Sequence, residues 1–394
     1  MIIKPKCEAA DCFKYIKKVF PNSYLAEDNR QIIIGIDIVY FDSYTYTYSD
    51  LRELVKSRKS IAEFSGLFGV FSYETIHYFE KINRKEKTEY DYPEFIFSDA
   101  GAYLYFDKKN SVFSFFGDTE KYSDLLLQLK EVAAAEKSEN NKSFKILSNE
   151  SEKKNIFLKN VNEAKEYIKK GDIFQIVLSS QIIIESDYDP YDFYMELTEK
   201  NPSPYMFYFP TPYGTVIGSS PEILLKIEDK QIFIAPIAGT RPRGRDPEED
   251  KILARELLND DKELAEHRML IDLARNDIGK FSRPGSVEVK NPMHIEYFQH
   301  VMHIVSDVYG ELADGTDIFD VISTAFPAGT LSGAPKIRAM EIIAELELHK
   351  RNIYGGGIGF LHYNGNSQIA IIIRTAFYKD KKYYIQSGAG IVYD

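Results

Sequence analysis

The stretch NIYGGGIGFLHYNGNSQIAIIIRTAFY, residues 352–378, predicts how the C-terminal part of the chain folds. Two runs rich in β-branched and aromatic residues flank Asn364-Gly365, a dipeptide typical of two-residue hairpin turns. We therefore expect two antiparallel strands here. The glycine run YGGGIGF, residues 354–360, is not a nucleotide-binding loop, because that motif needs a following helix. Glycines on a strand instead allow backbone or a ligand to approach closely.

Strand-like segments of the same kind fill the N-terminal third, while helical patterns are concentrated in the second half. Residues 246–277 form the longest helical stretch, possible as one helix or two, and Pro335 suits the first turn of another helix. Hairpins rather than regular strand–helix–strand units join the strands, so we expect an α+β fold with large antiparallel sheets. The highly charged residues 137–155 are a predicted linker between an N-terminal region, 1–136, and a C-terminal region, 156–394.

Charge and composition exclude several classes of function. The net charge of -11 argues against nucleic acid and anionic membranes as partners, because both need a basic face. Apolar runs are too short to span a bilayer, and the N-terminus lacks the apolar core of a secretory signal, so the expected location is the cytoplasm. Cys7 and Cys12 are expected on one short helix, badly spaced for a disulfide or a metal site.

The loop APIAGTRPRG, residues 235–244, predicts an anion-binding element, because it combines arginines and glycines without any carboxylate. At its middle lies Ala238, whose side chain has no chemistry. Arg374, in the apolar run IAIIIRTAFY, needs an acidic partner, either a ligand carboxylate or a protein acid. The backbone of Gly388 and Gly390, in SGAGIV, is suited to hold an anion, although an ordinary glycine turn is the better explanation of this motif taken alone.

Three further residues are candidates by type. His303 lies in a strand-like run and is either a structural histidine or a base active near neutral pH. Glu263 and Glu266 share one face of a predicted helix, and two such carboxylates suit a hard cation such as Mg²⁺. Solvated charges on a helix are the commoner explanation of this spacing.

Taken together, the motifs resemble the chorismate-utilising enzymes, most closely the large subunit (component I) of anthranilate synthase. The resemblance is dense from residue 150 to residue 394 and looser over the N-terminal region, where GLFGVFSYE is similar to that family's regulatory region. It implies two large antiparallel β-sheets packed face to face with helices outside. The motifs that carry it are, in order, PIAGTRPRGR, EHRMLIDLARNDIG, HVMHIVS, TLSGAPKIRAMEII, YGGGIGF, IIIRTA and SGAGIV.

The resemblance implies a reaction that converts chorismate and ammonia to anthranilate and pyruvate with Mg²⁺ as cofactor, the first step of tryptophan biosynthesis. A separate glutamine amidotransferase subunit (component II) would supply the ammonia, and tryptophan would be a feedback inhibitor. Two alternatives stay open. One is component I of aminodeoxychorismate synthase, which acts on the same substrate in the folate pathway, and the other is a non-catalytic relative that binds chorismate or tryptophan.

The resemblance also implies roles for individual residues. Glu222 would protonate the departing 4-hydroxyl group, His303 would remove the proton at ring carbon 2, and Thr330 would lie beside the ring. Glu266 would hold Mg²⁺, which in turn holds the ring carboxylate. The residues implied to bind substrate are Gly239, Thr240, Tyr354, Arg374, Gly388, Ala389 and Gly390, and those implied to bind tryptophan are Asp28, Pro204, Tyr205 and Met206.

Several positions depart from the patterns of the family and its relatives. Aminodeoxychorismate enzymes usually carry a lysine at the position of Ala238, and isochorismate enzymes carry a lysine base at the position of Gln175. Asp28 stands where the tryptophan pocket usually has serine. The family pattern continues to a second Mg²⁺-binding glutamate beyond Gly390, whereas the sequence given ends at Asp394.

Overall fold

The computed structural model describes residues 1–132 and 143–393. Its strands are β1 (Ile2–Ile3), β2 (Tyr24–Glu27), β3 (Gln31–Asp42), β4 (Gly66–Phe71), β5 (Phe95–Asp107), β6 (Val112–Phe116), β7 (Lys145–Ile146), β8 (Gln175–Glu185), β9 (Tyr205–Thr211), β10 (Gly214–Ser220), β11 (Ile223–Glu228), β12 (Gln231–Ile234), β13 (Ile237–Pro242), β14 (Glu288–Tyr297), β15 (Val301–Glu311), β16 (Gly333–Ala334), β17 (Gly357–His362), β18 (Ser367–Ile371), β19 (Thr375–Lys379) and β20 (Lys382–Ile391).

The helices of the described residues are α1 (Ala9–Val19), α2 (Tyr48–Ser57), α3 (Ser123–Leu129), α4 (Glu150–Lys169), α5 (Pro190–Lys200), α6 (Pro247–Leu257), α7 (Asp261–Gly279), α8 (Ile318–Ala325), α9 (Gly329–Ser332) and α10 (Lys336–Leu346), with a 3₁₀ helix at Tyr73–Tyr78. Of the expected linker, residues 137–142 lie outside the described residues. The remainder contains β7 and the start of α4.

The hairpin predicted around Asn364-Gly365 is confirmed. Strands β17 and β18 pair antiparallel from Gly357 opposite Ile371 to Leu361 opposite Ser367. Gly365 has a φ of 89°, a backbone conformation that favours glycine. On its other edge β17 pairs with β4 of the N-terminal region, so this hairpin extends a sheet that both regions share.

All described strands join one antiparallel sheet, which confirms the expected α+β class. The pairings run β8–β20–β19–β10–β9–β2–β3–β5–β4–β17–β18–β11–β12–β15, with β13 and β14 on β15. The sheet doubles back on itself, because Tyr24 of β2 stacks on Phe68 of β4 with ring centroids 4.5 Å apart and also contacts Phe360 of β17 at 6.1 Å. The two expected layers are therefore two halves of one continuous sheet, which enclose an aromatic core.

Helices α6 and α7 divide the long helical stretch between residues 246 and 277. Each begins at an aspartate whose side chain accepts backbone N–H bonds, Asp246 for α6 and Asp260 for α7. Such N-caps satisfy donors that have no partner inside the helix. Helix α7 packs against β13 and β15, and the carboxylate of Glu263 in its first turn lies beside Gly239 of β13. Within the described residues, no helix has the length and apolarity to cross a membrane.

The two cysteines correct one expectation from the sequence. Cys7 lies just before α1 rather than within it, and the Sγ atoms of Cys7 and Cys12 are 3.4 Å apart as free thiols. The helical spacing assumed for both residues overestimated their separation, because the extended chain before α1 turns Cys7 back toward the helix.

Glycine at position 359 is required by close strand packing. We expect Gly359→Ala to lower the free energy of unfolding by about 1 to 3 kcal/mol, the usual cost of overpacking a core. Its new Cβ would collide with the carbonyl oxygen of Gln368 and lie 2.8 Å from Cα of Ile369. Gly279→Ala, at the end of α7, is the control, because nothing lies within 4 Å of its Cβ position. Urea unfolding measures both variants, and equal stabilities would contradict this explanation.

Candidate active site

A buried carboxylic acid marks the centre of the candidate site. Glu222 directly precedes β11 and accepts a hydrogen bond from Oγ1 of Thr330, 2.8 Å away. Burial raises the pKa of Glu222 to about 8, although the Thr330 hydroxyl and the positive charge of Arg374 oppose this shift. Apolar side chains such as Leu270 and Ile371 line the same pocket and account for the desolvation. At neutral pH Glu222 is therefore protonated and can donate a proton.

Arg374 lies between β18 and β19, and the expectation that it is buried in an apolar strand is wrong. The ladder is interrupted there, because Ile372 bonds back to Gly355 and Gly356 and Arg374 takes a φ of 51°. The interruption turns its side chain out of the apolar layer into an exposed position. The guanidinium affects the pKa of both Glu222 and His303, and among the described residues it forms no ion pair. It is thus available to a ligand carboxylate.

His303 of β15 is held as a neutral base. Its Nδ1 lies 3.0 Å from the carbonyl oxygen of Gly239 and 3.0 Å from Oγ1 of Thr240. A carbonyl oxygen only accepts hydrogen bonds, so Nδ1 carries the proton and Nε2 presents its lone pair. Burial lowers the pKa of His303, which keeps the ring neutral at pH 7. The β-bulge between Ala238 and Thr240, with a φ of 73° at Gly239, places these oxygens beside the ring.

The arginines of the loop at residues 235–244 are not free to bind an anion. Arg241 donates to Asp260 at 2.8 Å and to Glu263 at 3.3 Å, while Arg243 forks around Asp250. These pairs attach the loop to α6 and α7. The loop therefore contributes its backbone shape to the site, whereas its positive charge is already neutralised.

Two side chains that carry oxygen atoms, those of Gln175 and Glu263, lie beside Glu266 of α7. Its Oε1 accepts a 2.6 Å hydrogen bond from Nε2 of Gln175, the first residue of β8. Burial, and then the neighbouring Glu263, raise the pKa of Glu266. A cation would stabilise the charged carboxylate against both effects. Oε1 of Gln175 is buried and has no hydrogen-bond partner in the structure.

This donor set fits Mg²⁺, which usually binds one or two protein carboxylates and fills its other positions with waters and substrate oxygens. The described residues contain no group of three or more histidine, cysteine or acidic side chains arranged to hold a metal. Glu266 is the carboxylate through which this chain would hold the ion, because the neighbouring Glu263 pairs with Arg241.

Residues Gly388, Ala389 and Gly390 belong to the extended strand β20 rather than to a turn. They pair with Ser179, Leu178 and Val177 of β8 and are exposed. Strand β19 covers β20 only as far as Ile385, so within the described residues the other edge of this segment carries no strand. Alternate residues of an antiparallel pair direct N–H groups to that open edge. We call residues 388–390 the carboxylate clamp.

The clamp meets Tyr354, because a Cβ on Gly388 would collide with the phenol oxygen of Tyr354. Only glycine allows this approach. Tyr354 itself is almost fully buried, and burial raises its pKa to about 12, so it remains a neutral hydrogen-bond donor.

The residues implied for tryptophan binding also come together. Asp28, Tyr205 and Met206 line one pocket between β2, β9, β17 and β18, and Pro204 lines the adjoining one. The Asp28 carboxylate accepts hydrogen bonds from the backbone N–H groups of Arg30 and Gln31 at 2.7 and 3.0 Å. Its negative charge thus stabilises the turn between β2 and β3.

Sequence reasoning missed two buried ion pairs beside the site. Lys336 bonds Asp277 at 2.6 Å, and Arg351 bonds Glu347 at 2.6 Å. The second pair has the four-residue spacing of helical ion pairs, a signal visible in the sequence. Its burial was not visible, because Glu347 caps the end of α10 and Arg351 lies in the loop that follows.

Solved structures share this fold. Anthranilate synthase component I from Streptococcus pneumoniae TIGR4 superimposes with a TM-score of 0.83 at 35% sequence identity, over 93% of this chain and 88% of that one. The isochorismate synthase MenF from Escherichia coli superimposes with a TM-score of 0.79, over 100% of this chain and 89% of that one. At 16% identity, the second likeness concerns the fold alone.

Curated relatives point the same way. The chain is 55% identical over 238 residues to anthranilate synthase component 1 of Acetivibrio thermocellus, which is 60% of this chain and 48% of that protein. It is 44% identical over 351 residues to the same component of Methanothermobacter marburgensis, covering 88% of this chain and 74% of that one. The chain spans about half the length of the first of these relatives.

Glu222, His303 and the clamp thus lie on a fold that this chain shares with these proteins. A family model described as chorismate binding enzyme matches residues 16–394, and the chain belongs to that family.

Proposed function

We propose that the chain is component I of anthranilate synthase, which converts chorismate and ammonia to anthranilate and pyruvate. One arrangement carries the proposal: Glu222, whose pKa burial raises, and His303, whose pKa burial lowers, both lie close enough to Arg374 for its charge to affect their pKa values, and Arg374 has no ion-pair partner among the described residues. An acid, a base and a carboxylate-binding cation in one place suit a substrate that loses a hydroxyl group and a ring proton. The names of the relatives support the same reaction.

Chorismate carries two carboxylates, and the chain offers two sets of donors for them, which adjoin where Tyr354 meets Gly388. Open backbone N–H groups of the clamp at residues 388–390 bind one carboxylate. The guanidinium of Arg374 and the phenol of Tyr354 bind the other, because the planar fork of arginine can bond both oxygens. Bound at Glu266, Mg²⁺ would fix the ring carboxylate and withdraw electrons from the conjugated ring.

Glu222 acts as the general acid. Hydroxide is a poor leaving group, so ammonia can add at ring carbon 2 only as the 4-hydroxyl leaves with the proton of Glu222. Thr330 keeps the carboxyl group oriented through its hydrogen bond. In the second stage Nε2 of His303 takes the proton from carbon 2, and the bond between ring carbon 3 and the enolpyruvyl oxygen breaks. The enolpyruvyl group leaves as the enolate of pyruvate, which gains a proton at its methylene carbon from solvent, and the ring becomes aromatic.

The nucleophile comes from outside the chain. Ala238 offers no amine that could attack carbon 2, which disfavours the aminodeoxychorismate alternative. Gln175 bonds Glu266 and is not a base, so water is poorly activated compared with ammonia. The absence of an amine at Ala238 and of a base at Gln175 together favour the addition of ammonia at ring carbon 2.

Ammonia itself would come from a glutamine amidotransferase subunit. Glutamine hydrolysis needs an activated nucleophile, usually a cysteine thiolate. Burial raises the pKa of both Cys7 and Cys12, and Cys12 is fully buried, so neither thiol has that character. We further propose tryptophan as the ligand of the pocket that Asp28, Tyr205 and Met206 line.

The proposal is tested by incubating the purified chain with chorismate, Mg²⁺ and ammonium and following anthranilate by its fluorescence. We expect anthranilate with ammonium and none with glutamine alone, since the chain has no activated thiol. Chromatography identifies the product. A para-aminobenzoate precursor would favour the folate-pathway alternative, and binding of chorismate without any turnover would favour the non-catalytic one.

Replacement of the general acid gives a sharper test. Glu222→Gln should lower kcat by about 100- to 10,000-fold, the usual contribution of general acid–base catalysis. Because the pKa of Glu222 is about 8, kcat/KM of the original chain should fall as the pH rises above that value and the proton is lost. Thr330→Val removes a hydrogen bond that stabilises the charged carboxylate, so its alkaline limb should move to higher pH. An unshifted limb would contradict the assignment of Glu222.

The assignment of Glu266 to the metal site predicts a variant that loses affinity for Mg²⁺ but keeps its fold. Glu266→Gln should retain the fold but require a much higher Mg²⁺ concentration for half-maximal activity, because a neutral amide is a poorer ligand than a carboxylate. Titrating activity with Mg²⁺ measures the change, and circular dichroism checks the fold. Glu256→Gln, on the exposed face of α6, is the control. The same Mg²⁺ requirement in both variants would remove Glu266 from the metal site.

A further inference from the structure

A buried ion pair is bonded to β8, the strand that pairs with the clamp. Arg351 and Glu347 are 2% and 7% exposed. Nη2 of Arg351 donates to Oε1 of Glu347 at 2.6 Å, and Nε donates to Oε2 at 2.9 Å. The two planar groups therefore face each other in a fork, the geometry that fixes their relative orientation most strongly.

Further hydrogen bonds of the two side chains join the backbone of two elements of the site and one side-chain hydroxyl. Arg351 donates from Nη1 to the carbonyl oxygen of Leu331 and from Nη2 to that of Val177, both at 2.7 Å. Oε1 of Glu347 accepts from the backbone N–H of Ser179 at 2.8 Å and from its Oγ at 2.9 Å. The ion pair thus connects α9 to strand β8.

Both attachment points adjoin residues of the proposed chemistry. Leu331 follows Thr330, which bonds the acid Glu222. Val177 and Ser179 are the strand partners of Gly390 and Gly388, the two ends of the clamp. The ion pair therefore reaches the acid side of the site through α9 and the carboxylate side through β8.

The guanidinium of Arg351 also lies against two aromatic rings, those of Tyr73 at 4.8 Å and Tyr354 at 5.7 Å from the ring centroids. Tyr354 is the residue whose phenol approaches Gly388. Stability alone does not explain such an arrangement, because apolar side chains of similar volume often replace a buried ion pair without loss. What apolar side chains cannot replace is three directed bonds to the backbone of α9 and β8, together with the bond from the Ser179 hydroxyl.

We propose that Arg351 and Glu347 are positioning residues that hold the clamp of β20 at a fixed distance from Thr330 and Glu222. They do not touch substrate. They act through β8, whose pairing sets the path of residues 388–390, and through the carbonyl oxygen of Leu331. The inference rests on the proposed function, because the spacing matters for a ligand whose carboxylate and leaving group must be bound at the same time.

Glu347→Gln is the principal test. The amide keeps the size of the side chain and one acceptor, but its NH₂ group opposes the donors of Arg351 and the fork is lost. We expect the Kd and KM for chorismate to rise about tenfold, the effect of losing a hydrogen bond to a charged group. The value of kcat should change much less, because Thr330 and Glu222 keep their contact. Calorimetry and steady-state kinetics measure the two quantities.

Glu345→Gln is the matched control. It makes the same chemical change two residues away, on the outer face of α10, where Glu345 accepts a hydrogen bond from Tyr167. We expect no change in KM or Kd. Arg351→Lys is the second variant, since lysine keeps the charge but cannot reach both carbonyl oxygens and the carboxylate, and it should raise KM as Glu347→Gln does.

Amide hydrogen exchange provides a readout that does not depend on the reaction. In Glu347→Gln, amides of residues 177–179 and 388–390 should exchange faster than in the original chain, while those of β4 and β17 should not. The proposal would be overturned if amides throughout the chain exchanged faster and kcat and kcat/KM fell by the same factor. That result would give the ion pair a purely structural role. An unchanged KM with unchanged exchange would also overturn it. If the original chain binds no chorismate, the proposed function fails, and hydrogen exchange alone decides whether the pair positions the clamp.

Discussion

The arrangement of the site depends on the continuity of the antiparallel sheet and on its doubling back around an aromatic core. The strands that carry the clamp, β8 and β20, lie at one end of the order of strands, and β13 and β15, which carry Gly239 and His303, lie at the other. Helix α7 connects the two ends. Its Glu266 bonds Gln175 of β8, and its Glu263 lies beside Gly239 of β13. The two ends of one sheet are thereby brought to a single helix.

Burial shifts the pKa values of the two groups proposed to transfer protons in opposite directions: it raises that of Glu222 and lowers that of His303. Removing Glu222 from water disfavours its negative form, and removing His303 from water disfavours its positive form. Both groups are consequently neutral at the same pH, one carrying a proton and the other lacking it. An exposed glutamate would be ionised at neutral pH and could not donate a proton. The apolar pocket around Glu222 is therefore as much a part of the chemistry as the carboxyl group.

Local sequence signals predicted local structure well. Asn364-Gly365 forms the expected hairpin, and the acidic N-caps divide the long helical stretch into α6 and α7. Features that depend on distant parts of the chain were less accessible. The exposure of Arg374 follows from a break between β18 and β19 that hydrogen bonds to Gly355 and Gly356 impose, and no short pattern shows it. The resemblance supplied Glu222, whose burial its own sequence neighbours do not reveal, but neither pattern nor resemblance supplied the pair of Arg351 and Glu347.

The pairing of β4 with β17 has a consequence for how the chain is made. Phe68 lies opposite Phe360 in the finished sheet, so an edge of β4 gains its hydrogen-bonding partner only after the chain as far as Phe360 has left the ribosome. Unpaired strand edges invite association with other chains, and contacts so distant in sequence form slowly. During synthesis from the N-terminus, the aromatic strands of the N-terminal region are therefore complete before their partner strand exists. The cell must protect their exposed edge from association with other chains during that interval.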